Sequence, residues 1–509
     1  MPKRAVQILA LLTFFLLASQ AARADLRFRV ELSEIANLTY QMDCVGGLVS
    51  CQSADYQAFW DQRFLKTPED RKQLDDWVAL RQKYSQEISF PTPEFPLTGR
   101  HGGIDQSVKL RIAGFQATDL AEYSSRLDLL VEPTDRDRFL RPVQHFFPAF
   151  DTWWKSQALP KGTPFARSLE SLLAAPAVAG TLARIDHFYA PELAAGSVLR
   201  ISLMARPALG EANTSGQQVE GTSVVEFLPD ERPEDRIDVV IHELCHFLFD
   251  SSPDAAFAEL QKRFLVRGQA SAIAAYNLLN EALATALGNG MIGRAVMAPE
   301  RFADWQSKEG SFYNNPNIDR AGKALLPVLD GWLAEGRTMF DSLFVDTYIQ
   351  TLEKAFGPSL AAPQLLLSEM YLMSDARLGT GLRRNVRRTL HVASLYSEEA
   401  AWSEPGLLAD YHKYPRLNAL FLVHPENVKE LATHGVLPAA ETQALAARVD
   451  RDGQALYAFE RTPGAYGFIL VAKDAETVQK LLDELAAEKE IFRGFLTLSR
   501  NRAPAHHTY

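Results

Sequence analysis

His242, Glu243 and His246 stand in the run 239–250, V-V-I-H-E-L-C-H-F-L-F-D. Four residues make about one helical turn, so both imidazoles leave a helix on one face and can hold a single metal ion. Glu243 follows the first histidine, rotated about 100° around the helix, where its carboxylate can take a proton from metal-activated water. Ile237, Val240, Ile241, Leu244, Phe247 and Leu248 wrap the same stretch in apolar surface. Two imidazoles and a carboxylate are costly in such a place unless a cation satisfies them. The chemistry this predicts is metal-assisted hydrolysis, with His242 and His246 as ligands and Glu243 as general base.

A catalytic metal needs a third protein ligand and one open position. Residues 270–287 form an almost wholly apolar helical stretch whose polar residues Asn277, Asn280, Glu281 and Thr285 make one narrow stripe. Glu281 is its only charge and is the expected third ligand. Gly288-Asn289-Gly290 reads as the stop of that helix. Asp250, one turn beyond His246, is the rival ligand, but three ligands on successive turns of a straight helix span too far to meet at one ion. Stabilising the oxyanion of an acyl-transfer intermediate requires a further donor. Tyr313, in the loop 311–317 after the second ligand helix, is the candidate; Tyr276, Tyr371, His391, Tyr411 and His412 are further options.

With these residues in place the chain resembles the gluzincins, zinc peptidases of thermolysin-like organisation. The likeness rests on H-E-L-C-H-F-L-F-D and on Asn280-Glu281, and covers residues 197–290. It implies Zn2+ as cofactor and a peptide or protein as substrate. It departs from the family at Thr285, where an acidic residue often orients a ligand imidazole. That job falls to Thr285 or to another residue. The gap of 35 positions from His246 to Glu281 leaves room for an extra helix at 254–266. The resemblance also implies an edge strand that pairs with extended substrate, for which Thr222–Phe227 is the candidate. An internal strand of a small mixed sheet is the competing reading.

The elements that must hold this site follow from pattern and punctuation. An α+β chain is expected: a zincin-like core of a small mixed sheet and two ligand helices (191–356, with a helical extension at 321–356), preceded by a mostly helical region at 25–190. In that region 67–86, 117–131 and 134–154 read as helices, and the Pro/Gly-rich 90–103 as a break. Strands at 417–423, 454–460, 466–472 and 491–498, with helices at 425–448 and 475–489, give βαββαβ, a ferredoxin-like order, within an α/β module at 357–500. Segments 365–373 and 390–396 suggest a second, similar unit. They flank the basic stretch 382–388, read as a solvated face. The tail 501–509, with His506 and His507, is expected to be disordered.

Lys3 and Arg4, an apolar run at 5–18 and Ala22-Arg23-Ala24 read as a signal peptide at 1–24. The run is short for a membrane span, and no second one occurs. Export to the periplasm or medium is expected, with no integral membrane segment after cleavage. Loss of Lys3, Arg4 and Arg23 would take the formal charge from −10 to −13, which argues against nucleic acid or an anionic membrane as partner. Of three cysteines, Cys44 and Cys51 are expected to close a small disulfide loop, and Cys245 to be a core thiol. The expected function is an exported zinc-dependent metallohydrolase acting as a peptidase. Two others compete: a catalytically silent zincin-like scaffold whose C-terminal modules bind a partner, and an exported binding protein with a chance motif.

Overall fold

Strand β1 (Arg27–Glu31) lies parallel to β2 (Val198–Ala205), β2 parallel to β4 (Thr222–Phe227), and β3 (Gly216–Val219) antiparallel to β4. The computed structural model describes residues 26–49, 51, 53–84, 106–194, 196–207, 215–379 and 381–497, and the fold is α+β. The expected signal peptide, the 90–103 break and the His506–His507 tail lie outside the described residues.

The four-stranded sheet runs β1-β2-β4-β3. All six residues of β4 are buried, because helices cover it and strands flank it on both sides. The candidate substrate strand Thr222–Phe227 is therefore internal, and the edge belongs to β3. Pairing β1 in parallel with β2 needs a long crossover, supplied by the helices between them. Helix Glu34–Val45 is tied to β2 by Asn37, whose amide donates to Leu203 O (2.9 Å) and accepts from Ala205 N (2.6 Å). Cys44 and Cys51 form the expected disulfide, with Cα atoms 5.9 Å apart. Pro68–Lys83 opens with a reciprocal Thr67–Asp70 cap, and Pro133–Trp153 runs on through a π-helical turn to Ala158. The predicted helix at 117–131 is reduced to Leu120–Leu127.

The H-E-x-x-H motif lies on helix Ile237–Asp250; Pro233–Asp235 forms a separate 3-10 turn ahead of it. The extra helix appears at Asp254–Leu265. The second ligand segment departs from expectation. It runs as Ala270–Asn277 and Leu279–Ala284, then a π-helical stretch Thr285–Met291 and a last turn Ile292–Val296. The glycines do not stop it. A Cβ on Gly288 would lie 2.5 Å from both N and Cα of His242, and one on Gly290 would lie 3.0 Å from the Phe312 ring. Both glycines serve close approach between elements and not chain reversal.

A six-stranded sheet follows, in the order β10-β8-β9-β7-β5-β6. Its strands are β5 (Glu369–Asp375), β6 (Ser394–Ala400), β7 (Ala419–Val423), β8 (Ala455–Thr462), β9 (Ala465–Val471) and β10 (Gly494–Phe495). Strands β6, β5, β7 and β9 are mutually parallel, and β8 is antiparallel to both β9 and β10. A ferredoxin-like sheet would pair its last strand with its first. Here β10 pairs with β8, and β5 takes the free side of β7. The segments read as a second unit, β5 and β6, thus complete the same sheet. The predicted helix at 425–448 is broken into a 3-10 turn, Glu430–Thr433 and Ala439–Asp452. One face of this sheet (Met370, Leu372, Leu420, Phe468) joins the hydrophobic core of the ligand helices. The β8–β9 turn at Gly464 (φ 84°) rests on Gln269, at the start of the second ligand segment. Among the described residues no helix is long and apolar enough to cross a membrane.

Candidate metal centre

The two ligand segments cross where Gly288 meets the backbone of His242. This crossing brings His242, His246 and Glu281 together, with one donor atom from each lying within 4.8 Å of the others. The Nε2 atoms of the two histidines are 3.1 Å apart. Glu281 Oε2 lies 3.5 Å from His242 Nε2, and its Oε1 3.7 Å from His246 Nε2. A tetrahedral ion with ligands at about 2.0–2.1 Å has ligand–ligand edges of about 3.3 Å, so the three donors are spaced as such an ion requires.

The outer ring nitrogens are fixed by two asparagines. His242 Nδ1 is 2.9 Å from Asn289 Oδ1, and His246 Nδ1 is 2.9 Å from Asn280 Oδ1. Asn289 in turn donates from Nδ2 to Asp238 Oδ2 at 3.1 Å, which turns its carbonyl toward the ring. A carbonyl accepts only, so each Nδ1 carries a proton, and the two Nε2 lone pairs face one another and the carboxylate. Glu281 Oε2 is buried and has no hydrogen-bond partner. Such a cluster could hold a metal ion at its centre, and two imidazoles with one carboxylate are a donor set of the kind zinc takes. The residues fit the metal.

Thr285, at the position where an orienting acid was expected, does not do this work. It packs against helix Pro316–Ala334, where a Cβ on Gly322 would come within 2.5 Å of its methyl, and its hydroxyl is unpartnered. The π-helical stretch is what carries Asn289 to His242; such insertions widen a turn and often mark functional sites. The signal in the sequence was a polar residue between two glycines inside an apolar run.

Glu243 is buried at 7% exposure, and its carboxylate makes no hydrogen bond among the described residues. Burial pushes its carboxyl up to about 7, the charge of Glu281 adds to this, and the His246 imidazole opposes it. For Glu281 burial also acts upward. His246 and His242 outweigh that, with help from the Tyr313 hydroxyl, and hold the carboxyl down at about 2. Two carboxylates in one site thus differ in role: one is a permanent anion, the other exchanges a proton near neutrality. Gly216 on β3 makes room for Glu243, since a Cβ there would lie 2.6 Å from its Oε1.

Tyr313 enters the site from its loop as the sequence suggested. Its ring stacks on His242 (centroids 5.3 Å apart, planes at 26°) and its hydroxyl lies beside the Glu281 carboxylate. The negative charge of Glu281, then burial, drives the hydroxyl well above its ordinary value. Buried Asp319 holds the loop by accepting from Gly310 N (3.1 Å) and Phe312 N (2.9 Å). The other candidates are placed elsewhere. Tyr276 accepts from Gln261 in the core, Tyr371 and Tyr411 pack beneath the second sheet, and His412 bonds the carbonyl of His434. His391 lines a small cavity beside Glu281. Asp250 ends its helix outside the three-donor group, and Cys245 is buried against Tyr189, away from the metal side.

Comparison of the chain with protein-family models, curated proteins and solved structures finds no match.

Proposed function

We propose that the chain is a zinc-dependent metallohydrolase of the gluzincin type, acting as a peptidase after export. The observation that carries the reading is the convergence of His242, His246 and Glu281, with both outer ring nitrogens used as donors and the carboxylate oxygen left bare. His242, His246 and Glu281 would hold the ion. When bound, zinc supplies Lewis acidity, which acidifies water and polarises a carbonyl. Glu243 takes the proton released by the attacking water on its carboxylate, then hands it to the departing amine. Its freedom from hydrogen bonds and its raised carboxyl suit both halves of that shuttle. Tyr313, held over the ligands, supports a donor role toward the developing oxyanion.

A peptide substrate is supported by β3. Its outer side has no strand partner among the described residues, and its first residue, Gly216, touches Glu243. An extended backbone pairing there would run past the base. The small mixed sheet with two ligand helices corresponds to a zincin-like core, and the six-stranded sheet to the C-terminal module.

The deciding experiment is Glu243→Gln. It keeps shape and polarity and removes the proton acceptor, so zinc content and melting temperature should hold while peptidase activity falls by about 10²-fold or more. A variant that cleaves peptides as fast as wild type would sink the mechanism. A wild-type protein that binds zinc and cleaves no peptide would favour the silent scaffold.

A further inference from the structure

Helix Leu382–Leu390 buries Leu382, Val386 and Leu390 and exposes Arg383, Arg384, Arg387 and Arg388. At about 100° per residue the four guanidinium stems fall within an arc of about 140° opposite the buried side. None of the four has an ion pair or side-chain hydrogen bond among the described residues. Several other exposed arginines are met by carboxylates, as in Arg71–Asp61, Arg232–Asp235 and Arg301–Asp235; what sets this helix apart is that four unmet guanidinium groups share one face. Two acids of the neighbouring helix Ala475–Ala487 are engaged elsewhere, Glu476 with Lys480 and Asp483 with Gln479. Arg383–Arg387 and Arg384–Arg388 are like-charge pairs four apart, which weaken a helix.

We propose that this arginine face docks on an anionic phospholipid surface. Two observations favour headgroups over a protein partner. The face is one side of a single helix and presents four guanidinium groups, which pair with phosphates in bidentate fashion. It has no apolar anchor, since the large hydrophobics exposed among the described residues are Leu129, Val198, Val266 and Leu343, none on this helix. Protein interfaces rely on such anchors. Finally, the overall charge of −10 does not cancel a local cluster, because fields are screened beyond about 8 Å at physiological salt. Attachment is electrostatic, peripheral and reversible, and it is independent of the metal.

The test is co-sedimentation of the full chain with vesicles of phosphatidylglycerol and phosphatidylcholine, against phosphatidylcholine alone. The comparison is with Arg384→Gln/Arg388→Gln and the fourfold Arg→Gln variant in the same form, so the N-terminal apolar run contributes equally to all. Wild type should bind the anionic vesicles at low salt and leave them at about 0.5 M salt. Each arginine removed should weaken binding about fivefold, hence about 25-fold for the double variant. Melting temperatures should stay level or rise, because like-charge pairs are lost, which separates lost docking from lost folding. Equal binding of wild type and fourfold variant to anionic vesicles overturns the proposal. So does binding to a labelled oligonucleotide with none to vesicles, which would make the face a nucleic-acid site.

Discussion

Asn289 Oδ1 accepts from His242 Nδ1 at 2.9 Å, and the same amide donates to Asp238 at 3.1 Å. A half-buried aspartate therefore acts on a proposed ligand through an intervening asparagine. Asn289→Ala should loosen the ring and weaken zinc binding about 10- to 100-fold, read by competition with a chelating dye. Asn289→Asp, which still accepts from Nδ1, should bind more tightly than the alanine variant. Unchanged affinity in Asn289→Ala would show that the ring is fixed by packing alone.

Gly288 tests the helix crossing. A Cβ there meets His242 N and Cα at 2.5 Å, both backbone atoms that cannot rotate away. Gly288→Ala should cost about 1–3 kcal/mol or more and reduce zinc content, by thermal melting and metal analysis. Gly180, inside helix Pro176–Tyr189 with open space around it, is the control. Gly180→Ala should stabilise by about 0.5–1 kcal/mol.

A Cβ on Gly216 would meet only side-chain atoms, Glu243 Oε1 at 2.6 Å and Val239 Cγ1 at 2.8 Å. Those ends can shift, so Gly216→Ala should leave zinc and fold in place while displacing the base. The expected result is a fall in kcat with bound metal unchanged. Loss of metal in this variant would mean that β3 supports the ligands and not the base.

Glu34 predicts a pH effect on stability away from the site. Burial, then the charge of Asp151, pushes its carboxyl up to about 7, with Lys155 opposing. The native state therefore holds this proton more tightly than the unfolded chain, whose carboxyl titrates near the ordinary 4.5. Stability from this group is full below about 4.5 and is lost as pH rises through about 7. Glu34→Gln should raise the melting temperature at pH 8 and leave it nearly unchanged at pH 4. An equal shift at both values would assign the effect to packing.

Glu281→Gln separates the proposed third ligand from its rival. Replacing an anion by a neutral amide should weaken zinc binding strongly, while Asp250→Asn should not. The reverse outcome would move the ligand role to Asp250.

The sequence by itself determined the helix that carries His242, Glu243 and His246 and singled out Glu281 as the carboxylate that meets the two histidines. Each is written in local spacing: His242 and His246 one turn apart, Glu281 the single charge in an apolar run. The loop tyrosine was also legible, as a polar ring just beyond the second ligand segment. Tertiary structure decided what lies between elements. Gly288-Asn289-Gly290 has the composition of a helix end, yet the pressing of two backbones together makes it a π-helical crossing that delivers Asn289 to His242. Thr222–Phe227 has the composition of a strand, but whether a strand is an edge depends on its neighbours, and β3 took that place. The last sheet shows the same limit: the ferredoxin-like order expected from the chain would pair β10 with β7, yet it pairs with β8, because hydrogen-bond partners are chosen across space. Local periodicity records what one element must bury, and the packing of several elements sets which polar groups meet.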